Sequence, residues 1–152
     1  MTDRQQCLKV IFCVGVIMML YDGIQDDILL CGNYGCGFLC VCRAFELDLE
    51  DIPKLAVECQ NNKSLSKDFY VNDWVRLLET LDPKKRKWTV EKTPKYKVGD
   101  ILIGMYFNPT NNYTHFVLLN PNNKHIIFNS LKNSNTVKNG FIKDFRVCKV
   151  VG

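Results

Sequence analysis

The sequence predicts an α+β fold, on three observations. Apolar residues in the first half recur at helical spacing, and the second half breaks into short β-rich runs separated by turn residues. A basic segment around residues 82–87 lies between the two. Helices first and strands second favour helices packed on an antiparallel sheet rather than alternating βαβ units. Neither half is large enough to hide its own apolar face, so residues 1–152 are expected to form one domain, with a helical half of about 1–82 and a sheet half of about 88–152.

In chain order, residues 10–20 (VIFCVGVIMML) form an apolar run preceded by Arg4 and Lys9. The run is too short to span a bilayer, and no small-residue cleavage site follows it. It predicts a buried N-terminal helix, with an uncleaved signal anchor as the alternative. The turn cluster Gly32-Asn33-Tyr34-Gly35 opens into a helix from Cys36, in which Phe38, Val41, Cys42 and Phe45 keep helical spacing. Ile52, Leu55, Ala56 and Cys59 mark another helix, with Pro53 tolerated in its first turn. Asn72 is the expected cap of a further helix carrying Trp74, Val75, Leu78 and Leu81, which Asp82-Pro83 ends. Strands are expected at residues 88–90, 101–107, 113–119, 125–128 and 145–151, arranged as a meander. Asparagine-rich segments between them supply the turns.

Composition excludes several classes. The formal charge of +4 comes largely from Lys84-Lys85-Arg86-Lys87, which reads as a solvated loop, and no nucleic-acid motif accompanies it. Four of the eight cysteines (Cys31, Cys36, Cys40 and Cys42) crowd into twelve residues. They lack the Cys-x-x-Cys knuckles of zinc and iron–sulfur sites, so neither a metal nor another cofactor is expected. Unpaired thiols of this kind suit a reducing compartment, and a cytoplasmic location is expected, with no membrane partner.

One constellation carries chemistry. A thiol attacks as thiolate, which a helix N-terminus and a neighbouring imidazole both favour. Cys36 stands where a turn becomes a helix, and its backbone N–H is a natural oxyanion donor. Gly35 and Gly37 are expected to leave room for a substrate backbone. Of the two histidines, His115 opens the apolar run Phe116-Val117-Leu118-Leu119, whereas His125 follows a turn and is expected to be exposed. A hairpin about residues 121–124 has its centre near 122.5, which brings His115 level with residue 130. Asn129 or Ser130 is therefore positioned to hold the imidazole. Asp100 reads as a strand-start residue, and Trp74 and Trp88 as packing.

The segment Gly35-Cys36-Gly37-Phe38-Leu39-Cys40 leading into a helix resembles the nucleophile segment of papain-like cysteine hydrolases, including the double-glycine peptidases. Tyr96-Lys97-Val98-Gly99-Asp100-Ile101, then Thr114-His115-Phe116-Val117 and a strand ending at Asn129, is similar to segments of NlpC-type cell-wall hydrolases. The chain also resembles a small family of spirochaete plasmid and prophage proteins. The papain-like resemblance spans roughly residues 25–130. It implies a papain-like fold with Cys36 as nucleophile, His115 as base, Asn129 as orienting residue and Gln25 as the upstream oxyanion residue. The implied reaction is hydrolysis of an amide bond through a thioester, with a peptide or peptidoglycan-like substrate. In the double-glycine peptidases the glutamine stands six residues before the cysteine, a spacing that makes Cys31 the rival nucleophile. An inactive binding module on the same scaffold and a thiol- or metal-binding protein are the alternatives.

Overall fold

The computed structural model describes residues 35–152 apart from Pro94 and Lys132. The expected N-terminal helix at residues 10–20, Gln25 and Cys31 lie outside the described residues. The described chain is α+β: helices pack on a five-stranded, wholly antiparallel sheet.

Helix α1 (Cys36–Ala44) is buried from Cys36 through Cys42. A helix apolar on every side belongs in an interior, and no charged residue interrupts this one before Arg43. A short 3₁₀ turn (Leu49–Asp51) leads to α2 (Ile52–Asn61), with proline in its first turn as expected. Helix α3 (Trp74–Leu81) is capped one residue later than the sequence suggests. Asp73, not Asn72, accepts the Arg76 N–H through its side chain. Leu77, Leu78 and Leu81 form its buried stripe.

The strands are β1 (Trp88–Glu91), β2 (Ile101–Asn108), β3 (Tyr113–Leu119), β4 (Ile126–Phe128) and β5 (Phe141–Val150). Their order is β1-β5-β2-β3-β4, which corrects the expected meander. The last strand returns to a slot between the first two, pairing Val90 with Cys148 on one side and Ile103 with Arg146 on the other. It is also longer than expected, and a short helix α4 (Asn135–Asn139) precedes it. Gly140 joins the two: a Cβ there would collide with the carbonyl oxygens of Thr136 and Phe107.

Strand alternation divides the sheet into two apolar faces. Ile103, Leu118, Phe128 and Cys148 join α1, α2 and α3 in the main core. Leu102, Val117, Leu119 and Val147 form a second cluster with Tyr96, Val137, Ile142 and Phe145 on the other face. The basic segment is solvated, as expected, except for Arg86. That residue is half-buried against the buried Asp82, which it meets at 2.8 Å.

Candidate active site

Strand β4 pairs with β3 only at Leu118 and Leu119, so among the described residues no strand borders the edge of β3 from Tyr113 to Val117. The N-terminus of α1 fills that place. The Phe116 N–H donates to Cys36 Sγ at 3.4 Å, eighty residues away in sequence. This bond ties the first turn of the buried helix to the sheet edge, directly after His115. Helix α1 packs against β3 along this edge.

Pleating sends Phe116 to the α1 face, while His115, level with Tyr106, is in phase with Val117 and Leu119 on the other. A thiol at the sheet edge is open to groups from either face. Cys36 and His115 accordingly line one cleft of about 400 Å³, although each residue is no more than 4% exposed.

His115 Nε2 lies 2.7 Å from Asn129 Oδ1, the contact that hairpin counting allowed for residue 129 or 130. The Leu131 N–H donates to the same oxygen at 3.1 Å. A backbone N–H can only donate, so that atom is an acceptor and His115 Nε2 carries the proton. In the neutral ring the lone pair is then on Nδ1. Asn129 thus fixes the tautomer as well as the ring position. The observed register, Leu118 with Phe128 and Leu119 with Ile126, contains an irregularity between the two pairs. Ser130 is fully buried.

Two expectations need correction. Burial pushes the Cys36 thiol up from its ordinary value, while the N–H groups of Phe116, Gly37 and Cys36 act in the opposite direction. Desolvation outweighs the helix N-terminus, so this thiol is not a resting thiolate by position alone. Gly37, moreover, does not leave space for substrate. A Cβ there would lie 3.0 Å from the Trp74 ring and 3.2 Å from Val71, so the missing side chain accommodates the protein's own cleft wall.

Sequence reasoning also missed cleft residues. Trp74, read as packing, is a wall of the cleft and meets Phe116 edge-on with centroids 5.1 Å apart. Arg146 lines the cleft from β5. The signal for it was present: a charge two residues before Cys148, on the inward phase of a strand. Asp100 behaves as expected, accepting the Lys97 N–H at 2.9 Å across a turn that Gly99 makes with φ +100°. His125 is exposed.

A family model described as "Protein of unknown function, DUF261" matches residues 23–150. The chain belongs to the DUF261 family. No curated protein and no solved structure matches it. The match covers the whole cleft of this DUF261 chain, from Cys36 to Arg146. Among its described residues no group of three or more His, Cys, Asp or Glu side chains is arranged to hold a metal ion. Among the same residues no helix is long and apolar enough to cross a membrane.

Proposed function

We propose that this DUF261 chain is a papain-like cysteine hydrolase that cleaves an amide bond, of peptide or peptidoglycan type, through a thioester. The observation that carries the reading is the single cleft holding Cys36, at the start of a buried helix, and His115, whose tautomer Asn129 fixes. Nδ1 of His115 takes the thiol proton as Sγ attacks the carbonyl carbon, so a resting thiolate is not required. The Phe116 N–H steadies the sulfur, and the Cys36 N–H receives the oxyanion. As the intermediate collapses, the C–N bond breaks and the Nδ1 proton passes to the leaving amine. Water then attacks the thioester, with the same nitrogen as base, and restores the thiol. Gln25, by its resemblance to the upstream glutamine of these enzymes, completes the oxyanion site.

One observation favours a second reading. A thiol raised by burial is what a catalytically silent binding module on the same scaffold would keep. Hydrolysis of peptide and peptidoglycan-fragment libraries by the wild type, Cys36→Ser and His115→Ala separates the two. Turnover by the wild type alone supports the hydrolase. Binding of fragments without turnover by any of the three overturns it in favour of the module.

A further inference from the structure

Arg146 is not used by this chemistry, yet it lies in the cleft. Its side chain is only 11% exposed. The guanidinium carbon sits 5.5 Å from the Phe116 ring centroid and 5.9 Å from that of Trp74, the two aromatic side chains beside Gly37. Nη1 donates to Asp144 Oδ2 at 3.1 Å and to the Phe145 carbonyl at 3.0 Å. Nε is buried and has no hydrogen-bond partner among the described residues. An arginine stays charged at any pH a protein survives, and burying a guanidinium N–H without an acceptor is costly. A single carboxylate at Nη1 leaves the other edge of the fork unsatisfied. That edge, Nε with Nη2, has the spacing of the two oxygens of a carboxylate.

We infer that Arg146 is a specificity residue that receives a carboxylate of the substrate, so that the cleft selects amides bearing an acidic group near the scissile bond. The aromatic rings orient the guanidinium and exclude water from it, and Asp144 holds Nη1 so that the edge without an acceptor keeps its direction. That the carboxylate belongs to a substrate rests on the hydrolase proposal. The carboxylate site itself does not depend on turnover.

The test measures iodoacetamide labelling of Cys36, by mass mapping, with three small competitors. N-acetylalanine carries a terminal carboxylate, N-acetylglutamic acid α-amide a side-chain carboxylate, and N-acetylalaninamide neither. Saturable protection by one or both acids, and roughly tenfold weaker protection by the neutral amide, is expected. The acid that protects better identifies the source of the carboxylate. Arg146→Gln should remove the difference, and Arg146→Lys should retain only part of it, because an ammonium lacks the fork. Equal protection by acid and amide in the wild type overturns the inference, whether or not the variants fold. So does protection by the acids that survives in Arg146→Gln. Labelling without competitor, compared between wild type and His115→Ala, reads the hydrolase proposal separately. A loss of His115 dependence with acid protection intact would sink that reading and leave the carboxylate site standing.

Discussion

Among the five described cysteines, Cys36 alone lines the cleft. Burial pushes Cys59 up to about 11 and Cys148 up to about 12, and raises Cys40 and Cys42 well above the ordinary thiol value. Near neutral pH these four are packed apolar groups rather than nucleophiles. Cys36 should therefore take up iodoacetamide before any of them, as mass mapping after partial labelling would report. Because burial also raises Cys36, its labelling in His115→Ala should climb only at a pH above that of an ordinary thiol. At pH 7 that variant should label roughly tenfold more slowly than the wild type. Asn129 makes a sharper prediction. Nitrogen NMR of neutral His115 should report a protonated Nε2 in the wild type and a mixture of tautomers in Asn129→Ala. A wild-type ring protonated at Nδ1 would contradict the assigned roles.

Some junctions between elements are held by a residue that leaves no room for a larger one. Gly140 is the clearest, because its missing Cβ faces carbonyl oxygens of α4 and β2 rather than a flexible side chain. Backbone cannot step aside as a side-chain tip can. Gly140→Ala should cost about 3 kcal/mol, at the upper end for overpacking, read as a lower urea midpoint. Gly37→Ala meets side chains rather than backbone, the ring of Trp74, a methyl of Val71 and, in ordinary contact, the ring of Phe116, and alanine is the better helix former. Its cost should be smaller, about 1 kcal/mol, with the tilt of Trp74 changing the cleft more than the stability.

The helical layer and the sheet are joined through Asp82, which is fully buried. Its carboxylate accepts from the Lys84 and Arg86 N–H groups, from the Arg86 guanidinium and from the indole of Trp88 at 2.9 Å. Burial alone would push this carboxyl up. The hydrogen bonds from Arg86, Lys84 and Trp88 outweigh it and hold the group well below the usual carboxylate range. A depressed carboxyl stabilises the fold above its unfolded value of about 3.9, and that contribution is lost as pH falls from there through the folded value. Asp82→Asn should cost about 3 kcal/mol at neutral pH, since it leaves Arg86 without its counter-charge. The deficit should shrink below about pH 4, where the wild type loses the same interaction. Urea midpoints of both proteins from pH 2 to pH 7 would check the sign. A deficit independent of pH would mean that the hydrogen bonds act through shape and not charge.

Local sequence determined most of the elements, because helix and strand periods are local properties. Pro53 in a first turn, the strand Tyr113–Leu119 and the Gly99-Asp100 turn were all legible without a partner. The His115–Asn129 contact was legible too, since a short hairpin relates its two strands by counting alone. What lay beyond reach was every fact that joins distant segments. The return of β5 between β1 and β2 is set by which apolar faces cover one another, and no residue in β5 encodes a neighbour. The bond from Phe116 to Cys36 depends on where β4 stops. The rise of the Cys36 thiol follows from how completely the fold excludes water around it, which outweighs the helix end that the sequence does reveal. Arg146 joined the cleft for the same reason: its phase in a strand is local, but the aromatic walls around it come from α3 and β3, and only the folded chain brings them together.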